Sequence, residues 1–493
     1  MPPLPLLVFV VGMGSLGAEI AAVRLLSPYF GASTVVWANT IGVVLVALSL
    51  GYWLGGKLAD RRPELRGLCA VALTAAALLA LVPFVADPLL DVAVEALDSV
   101  SAGAFVGSLL GVLGLVAVPV LLLGAVAPYA IRLGVTTLEE AGRVSGRLYA
   151  ISTAGSLVGT LLSALVLIPL VGTRRTFLVF ALAIAVVAAA GLWPARRFVA
   201  VPLAIAALMA VPVGTLKAQT ESGRVIYETD TEYQYARVIE RDDGSRVLEL
   251  NEGQAQHSLW RPRTVLTGGY WDGMLVLPFA SLEREPRRVA ILGNAAGTMA
   301  RAYGRFFPDA DVDGVEIDAE LSEIGRRYFG MDNPRLALHH EDARPYLRRT
   351  DARYDVIAID AYRQPYIPFY LSTREFFELC RDRLAPGGAI VINVGHPEGQ
   401  TELEEVLAAT IAEALPNVLR YPVDDTNTLV AAGEGDVSGE RLRAAALPGP
   451  LRRIADEAAD GAGPPLPGGD VYTDDHAPVE WLIDRSIVDY AAD

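Results

Sequence analysis

The sequence has little cysteine and little lysine. The shortage of cysteine excludes a zinc-binding scaffold and a disulfide scaffold. Its two cysteines, Cys69 and Cys380, lie far apart and form no CxxC or zinc-binding pattern. Two such cysteines cannot build a disulfide framework. Lysine occurs only at positions 57 and 217, and every other basic residue is arginine. We therefore expect no metal site and no disulfide scaffold.

The second half of the chain is short of basic charge. Residues 1–217 carry 13 Lys+Arg and 9 Asp+Glu, whereas residues 218–493 carry 28 and 48. An acidic surface repels phosphate groups, so we expect no nucleic acid partner. The acidic half suits cationic ligands, and an acidic surface that is merely solvated is the alternative.

The first half contains long apolar runs instead. Each of seven runs is long enough to cross the hydrocarbon layer of a membrane, which takes about 20 helical residues. Gly51/Gly55 and Gly155/Gly159 have the four-residue spacing that lets helices pack closely. We predict a multi-pass membrane domain whose spans lie near 4–26, 35–56, 66–86, 103–127, 147–171, 175–193 and 198–216.

Loop charges predict the orientation of these spans. Cytoplasmic loops are rich in Lys and Arg. Loop 57–66 is basic and loop 87–99 is acidic, which places the N-terminus inside. We expect a cell-membrane protein with a cytosolic soluble half, although seven spans would leave that half outside.

The pattern changes after residue 217. Short alternating strands in 218–277, with a turn at Asp243-Gly244, indicate a small β subdomain. Strands that alternate with helices in 278–432 indicate a mostly parallel, Rossmann-like α/β sheet. A C-terminal extension, 433–493, follows and contains a Pro/Gly-rich link. The predicted fold class is therefore a helical membrane domain followed by a β subdomain and an α/β domain.

The ends of the predicted parallel strands carry an ordered set of residues. Gly293 and Gly297 follow the first strand, Glu316 ends the second, Asp342 follows the third and Asp360 ends the fourth. Ligands bind at such strand ends, and an acid in the place of Glu316 suits ribose hydroxyls. Asp342 can accept from a base amine. With no basic side chain beside the glycines, a nucleoside with a cationic side chain fits better than NAD. Taken alone, the glycines fit a tight structural turn equally well.

Together, these motifs resemble those of a known protein family. The stretches "VAILGNAAGTMARAYGRFFPDADVDGVEID", "HHEDARPYL", "YDVIAIDAY" and "YQYARV…LELNEGQAQ" resemble the spermidine synthase (polyamine aminopropyltransferase) family. That family is similar to class I methyltransferases and uses decarboxylated S-adenosylmethionine. The first half, with "RLLSPYFGASTVVW" and "GRLYAISTAGSLVGTLL", resembles the membrane region of fused membrane/spermidine-synthase proteins. The resemblance also implies a homodimer.

The resemblance assigns roles to individual residues. Glu316 would hold the ribose and Asp342 the adenine amine, and Gln256 and Gln234 would line the pocket from the β subdomain. Tyr270 and Asp272 match a Tyr-His-Glu segment in which Trp271 replaces the histidine, and the resemblance makes both of them candidate catalytic residues. The predicted donor-binding residues are Gly293, Asn294, Gly297, Glu316, Asp342, Ala343 and Gln256.

The loop after Asp360 departs from the family pattern. The family has two aspartates there, Asp-Ser-Ser/Thr-Asp-Pro, and the second takes a proton from the amine. Here the loop reads "DAYRQP", so that Arg363 stands in the second place. Arginine stays protonated and cannot act as a base. Asp360 then remains as a candidate base, as a partner for the ligand's cationic end, or as a cap of its own loop. Tyr362 and Arg363 would contact the acceptor, which Arg363 predicts to carry a carboxylate or phosphate.

A second acidic cluster follows near the C-terminus. The stretch "YTDDHAPVEWL" offers Asp474, Asp475 and His476. Asp475 is a candidate for acid-base work, and Asp474 and His476 are candidates for contact with the acceptor. The alternative is a turn that caps the last helix.

The function predicted from these features is alkyl transfer. The protein would move an aminopropyl or methyl group from decarboxylated S-adenosylmethionine or S-adenosylmethionine to an amine, such as a polyamine, or to another nucleophile. The alternative is a transporter or sensor whose soluble domain binds a nucleoside or polyamine without turnover.

Overall fold

The computed structural model describes residues 4–30, 34–98, 103–211, 223–251, 255–362 and 367–492. The chain divides into two compact units. The first contains Met1–Gln219 and Asp230–Tyr235, and the second contains Thr220–Thr229 and Ala236–Asp493.

The first unit is helical. Its apolar side chains form a core in which α1, α3 and α9 take large parts. The helices are α1 Leu4–Phe30, α2 Thr34–Arg61, α3 Leu65–Asp98, α4 Gly103–Leu115, α5 Ala117–Gly124, α6 Val126–Gly134, α7 Ala141–Leu162, α8 Ile168–Val171, α9 Thr173–Gly191 and α10 Ala200–Met209.

Glycines allow close helix contacts in this unit. A side chain at Gly155 or Gly159 would overlap with the backbone of α1, and one at Gly51 or Gly55 would overlap with the backbone of α5 or its neighbour Ala125. The predicted close packing at these four glycines is therefore confirmed. Without a side chain, the helices approach at backbone distance.

Among the described residues, six helical stretches are long and apolar enough to span a membrane. They are Leu4–Ser27, Val36–Arg61, Leu65–Ala86, Ala117–Gly134, Ala141–Val171 and Thr173–Gly191. The seventh predicted run, 198–216, coincides with α10, which has 10 residues. Its last part, 212–216, lies outside the described residues.

The second unit begins with a four-stranded sheet in the order β1-β2-β3-β4. Strand β2 is antiparallel to β3, and β3 is antiparallel to β4. The turn at Asp243-Gly244 forms as predicted, with Gly244 at φ +78°. The strands are β1 Arg224–Asp230, β2 Tyr235–Glu240, β3 Arg246–Leu250 and β4 Gln256–Trp260.

The larger sheet has seven strands in the order β10-β11-β9-β8-β5-β6-β7. Strands β5 to β9 are parallel, and β11 lies antiparallel between β9 and β10. The strands are β5 Arg288–Leu292, β6 Asp311–Val315, β7 Leu336–His339, β8 Tyr354–Ile359, β9 Leu384–Gly395, β10 Asn417–Pro422 and β11 Asn427–Gly433.

Helices cover both faces of this sheet, because its strands are apolar on both sides. Phe376, Phe377 and Leu407 pack on one face. Met274, Met299 and Tyr303 pack on the other. The helices are α11 Tyr270–Val276, α12 Thr298–Phe306, α13 Ala319–Tyr328, α14 Ala343–Arg349, α15 Arg374–Asp382, α16 Glu402–Ala414, α17 Gly439–Ala444, α18 Gly449–Gly461 and α19 Val479–Ala492.

The order of the strands fixes where a ligand would bind. From β5 the chain proceeds to β6 and β7 on one side, and then returns to β8 on the other side of β5. In such sheets the ligand lies beyond the carboxyl ends of the strands, at the point of reversal. Here that point lies between β5 and β8. The predicted fold class, a Rossmann-like sheet preceded by a small β sheet and a helical region, is confirmed.

Candidate functional site

The loops after β5 and β8 touch each other at this reversal point. Gly293 has φ +89°, and a side chain there would lie 2.6 Å from the Cα atom of Ala361. The backbone N–H of Asp360 donates to the carbonyl oxygen of Leu292 at 2.8 Å. Gly293 is thus required both for its left-handed backbone and for the close approach.

Asp360 accepts hydrogen bonds from three side chains. Its Oδ2 lies 3.1 Å from the hydroxyl of Tyr270 and 3.1 Å from Nε1 of Trp271. Its Oδ1 lies 3.1 Å from Nδ2 of Asn393. Burial raises the pKa of Asp360 to about 6, although these three donors oppose the rise. The structure therefore brings together two of the predicted site residues, Tyr270 and Asp360.

Two asparagines complete this cluster, and the sequence analysis missed both. The Oδ1 of Asn393 accepts from Nδ2 of Asn427 at 2.9 Å, which turns the amide nitrogen of Asn393 toward Asp360. Asn393 lies near the end of β9, so the strand-end rule that selected Asp360 would have found it. Asn427 begins an antiparallel strand and carries no such signal.

Tyr362 joins the same region from the loop after β8. Its hydroxyl donates to the carbonyl oxygen of Asn393 at 2.9 Å and accepts from the N–H of Gly395 at 2.7 Å. Burial raises the pKa of this hydroxyl far above its usual range. The hydroxyl bridges two backbone groups of β9. The neighbouring prediction, Arg363, lies outside the described residues.

Glu316 binds the glycine-rich loop. Its Oε2 accepts from the N–H of Ala295 at 2.8 Å, and its Oε1 accepts from the N–H of Asp318 at 3.0 Å. The side chain is buried, and burial raises its pKa to about 7. The carboxylate thus connects the end of β6 to the loop after β5.

The rest of the glycine-rich loop is tightly packed. Gly297 precedes α12 at φ +85°, and a side chain there would overlap with Met331. Asn294 is buried, and its Oδ1 has no hydrogen-bond partner among the described residues. Ser258 of β4 accepts from the N–H of Ala296 at 3.0 Å, which ties the small sheet to this loop.

Asp342 begins α14. Its Oδ1 accepts from the N–H of Arg344 at 2.9 Å, and its Oδ2 accepts from the hydroxyl of Tyr370 at 2.5 Å. Ala343, the next predicted contact, is buried. Each oxygen of Asp342 keeps acceptor capacity for a ligand amine, since a carboxylate oxygen has two lone pairs.

The side-chain contacts described for Asp272 do not include Asp360. The Oδ1 of Asp272 accepts from the N–H of Thr267 at 2.8 Å, and its Oδ2 accepts from the N–H of Gly268 at 2.7 Å. It is buried and closes the turn before α11. The neighbouring Trp271 contacts Asp360 instead. The predicted chemical role of Asp272 stays a prediction.

The two predicted glutamines lie in different units. Gln256 is exposed at the start of β4. Gln234 is buried within 230–235, which belongs to the helical unit, and its N–H donates to the hydroxyl of Thr231 at 3.0 Å. Their roles in a substrate pocket stay predictions.

The C-terminal cluster forms a turn in which Thr473 and His476 are paired. Asp474 binds Arg344 through both oxygens, at 2.7 and 2.6 Å. Asp475 and His476 are exposed. The structure brings Asp474 to the start of α14, while the roles predicted for Asp475 and His476 stay predictions.

The site suits a nucleoside whose side chain carries a positive charge. Acids stand at the ends of β6 and β8 and at the start of α14, and residues 293–298 contain no basic side chain. Carboxylates accept from hydroxyls and amines, and they attract a cationic sulfur. Among the described residues, no group of three or more His, Cys, Asp or Glu side chains could hold a metal ion.

Comparison with known proteins identifies this part of the chain. The family description "Spermine/spermidine synthase domain" matches residues 272–428. A "Probable polyamine aminopropyl transferase" from Bifidobacterium longum is 32% identical over 292 residues, 54% of this chain and 64% of that protein. Residues 272–428 are therefore similar to a spermine/spermidine synthase domain. The predicted resemblance is thereby confirmed.

Two further similarities were found. A "Polyamine aminopropyltransferase 2" from Pseudomonas aeruginosa is 30% identical over 213 residues, 40% of this chain and 57% of that protein. A solved structure of a probable spermidine synthase from Corynebacterium glutamicum is similar at 22% identity and a TM-score of 0.39, covering 48% of this chain and 95% of that one.

The chain spans less than two thirds of the length of both curated relatives, 64% and 57%. Both are aminopropyltransferases by name, which does not favour the predicted transporter or sensor. The similarity covers the spermidine synthase domain, and the activity of the whole protein is a separate question.

Proposed function

We propose that the protein is a membrane-bound aminopropyltransferase. Its spermidine synthase domain would bind decarboxylated S-adenosylmethionine and transfer the aminopropyl group to an amine. The environment of Asp360 carries this proposal. A carboxylate at the reversal point of the sheet, held by Tyr270, Trp271 and Asn393, suits a cationic sulfur and an attacking amine.

The reaction needs few groups from the protein. The acceptor nitrogen bonds to the propyl carbon, while the bond from that carbon to sulfur breaks and leaves its electron pair on sulfur. The nitrogen then carries a surplus proton. Asp360, with a pKa of about 6, would be mostly ionised at pH 7 and could take that proton.

The donor would lie along the strand ends. Glu316 would accept from the ribose hydroxyls and Asp342 from the adenine amine, while Gly293 would border the nucleoside. These placements follow the resemblance, and the hydrogen bonds of Glu316 and Asp342 support them because both carboxylates are fixed in place. Alignment of the amine with the sulfonium is the main contribution expected of such a site.

The acceptor would carry an anionic group as well as its amine. Arg363 stands where the resembling family has a second acid, and its positive charge would repel a diamine. The six apolar stretches suggest that the acceptor is met at a membrane. An amine with a carboxylate or phosphate, including an aminophospholipid headgroup, is the acceptor class that we propose.

The test is transfer of labelled aminopropyl by the full-length protein in detergent or lipid. We expect label to pass to an acceptor that carries an anionic group, with release of 5′-methylthioadenosine. Putrescine serves as the comparison acceptor and phosphatidylethanolamine as the membrane one. Donor binding without transfer to any amine would contradict the proposed activity. Transfer from S-adenosylmethionine in preference to its decarboxylated form would make the protein a methyltransferase instead.

A further inference from the structure

The C-terminal turn reaches the start of α14 through a paired contact. Asp474 Oδ1 lies 2.7 Å from Nη1 of Arg344, and Oδ2 lies 2.6 Å from Nη2. The side chain of Arg344 is 9% exposed and that of Asp474 is 45% exposed. Two parallel bonds to a buried guanidinium fix its orientation, unlike a mobile pair on the surface.

Arg344 in turn contacts the surroundings of Asp342. The backbone N–H of Arg344 donates to Asp342 Oδ1 at 2.9 Å, and Nη1 of its side chain donates to the carbonyl oxygen of Tyr370 at 3.0 Å. The hydroxyl of Tyr370 then donates to Asp342 Oδ2 at 2.5 Å. One oxygen of Asp342 is therefore held by the backbone of Arg344, and the other by Tyr370, which the side chain of Arg344 contacts.

Asp474 also holds the start of α15. Its Oδ1 accepts from the hydroxyl of Thr373 at 2.8 Å, and the same hydroxyl oxygen accepts from the N–H of Phe376 at 3.3 Å. Thr373 follows Tyr370 by three residues. One carboxylate thus joins the first turns of two helices on either side of the Tyr370 loop.

Removal of this charge would expose Asp342 to a competitor. A buried guanidinium that loses its partner seeks another carboxylate, because an uncompensated buried charge is costly. Asp342 is only two residues away from Arg344. If Arg344 turned to Asp342, it would occupy the lone pairs that a ligand amine needs.

We propose that Asp474 is a positioning residue that keeps the Asp342 carboxylate available for the amino group of the donor's adenine. It acts through Arg344 and Tyr370 and does not itself touch the ligand. The inference rests on the proposed function, in which Asp342 recognises the base. It gives the acidic C-terminal turn a part in nucleoside selectivity rather than in proton transfer.

The test compares two nucleosides on the full-length protein. 5′-Methylthioadenosine has the 6-amino group, whereas 5′-methylthioinosine has an oxygen in its place that cannot donate. By calorimetry, the wild type should prefer the adenosine about tenfold, which corresponds to about 1.4 kcal/mol. Asp474→Asn should weaken adenosine binding until the two affinities are nearly equal, with inosine binding unchanged.

Asp470→Asn is the matched control, because Asp470 is an exposed acid on the same segment, four residues earlier. It should keep the tenfold preference. Arg344→Lys retains the positive charge but cannot form the paired contact, so its preference should fall between those of wild type and Asp474→Asn. This variant keeps the proposal testable if Asp474→Asn does not fold.

Three results would overturn this inference. They are an unchanged preference in both Asp474→Asn and Arg344→Lys, an equal loss of affinity for both nucleosides, and a loss of preference in Asp470→Asn. A wild type that binds neither nucleoside nor either sulfonium donor is a different result, because it removes the proposed function itself.

Discussion

Among single residues, Asp360 is the candidate base, and its burial alters its acidity. Burial raises its pKa to about 6, so its charge changes just below neutral pH. If Asp360 takes the proton from the amine, kcat/KM should rise with pH through about 6. Asp360→Asn should lower kcat by about 10²-fold and abolish that rise. A pH profile of aminopropyl transfer measures both effects.

The control for this variant is Asp351→Asn, an exposed acid nine residues earlier. It should leave the rate and the profile unchanged. If Asp360→Asn kept the acid limb of the profile, the limb would belong to another group. Asp360 would then serve to hold the ligand or to cap its loop, which are the two alternatives that the sequence left open.

Glu316 should couple donor binding to proton release. Burial raises its pKa to about 7, and a ribose hydroxyl would bond better to its ionised form. Ligand binding should therefore lower the pKa of Glu316 and release a fraction of a proton at pH 7. Affinity should rise between pH 6 and 8. Calorimetry of the full-length protein in buffers of different ionisation enthalpy measures the release, which Glu316→Gln should remove.

The raised pKa of Glu316 also makes the stability of the fold depend on pH. Donor affinity should rise with pH, whereas stability should fall. Because the pKa of Glu316 is raised above its ordinary value of 4.5, the folded state binds the proton more tightly. The contribution of this group to stability is then present below pH 4.5 and is lost as pH rises through about 7. The Glu316→Gln variant should lack this loss.

At the residue scale the sequence predicted the acids but not their partners. Glu316 and Asp360 follow from the strand-end rule because they stand directly after β6 and β8, and Asp342 because it stands three residues after the end of β7. Asn427 orients the amide of Asn393 toward Asp360, and this contact depends on the pairing of β9 with β11. That pairing joins residues distant in sequence, so no local pattern indicates it.

Among the elements, the loop between β5 and α12 is the most tightly constrained. Gly293 combines a left-handed backbone with contact to Ala361, so that Gly293→Ala has two separate costs. Gly399→Ala is the matched control, because Gly399 has φ +75° with open space around its Cα atom. The control should lose about 1 kcal/mol from backbone strain alone.

Gly293→Ala should lose about 2 kcal/mol more than this control, since the loop after β8 must move as well. Thermal unfolding of the full-length protein compares the two variants, and hydrogen exchange at residues 358–362 should accelerate only in Gly293→Ala. Equal effects from both substitutions would show that the close approach adds nothing.

The elements were predicted where one pattern dominated. The strands β5 to β9 are short apolar runs separated by helices, and all of them formed. The antiparallel pair β10 and β11 was not predicted, because "NVLRYP" is mixed in polarity and "NTLVAAG" begins with two polar residues. These two strands lie beside β9, and that position depends on the whole sheet.

At the scale of the whole molecule, the number of spans decides where the soluble half lies. Loop charges place the N-terminus inside, and seven spans would then leave the second unit outside the cell. Six helical stretches among the described residues meet the length and composition of a span. With six spans, Arg196 and Arg197 lie inside and the second unit lies in the cytosol. Cytosolic metabolites would reach it there.

This topology can be tested with a membrane-impermeant maleimide on intact cells. Both native cysteines are buried, so their background labelling should be low. A cysteine at exposed Asp436 should stay unlabelled until the membrane is opened, and one at Asp98, at the end of α3, should label at once. Labelling of the Asp436→Cys variant in intact cells would place the unit outside and restore the seven-span topology. The basic "VGTRR" segment at 171–175 lies outside in both topologies, because five spans precede it in each, so the side of the second unit depends only on the run 198–216.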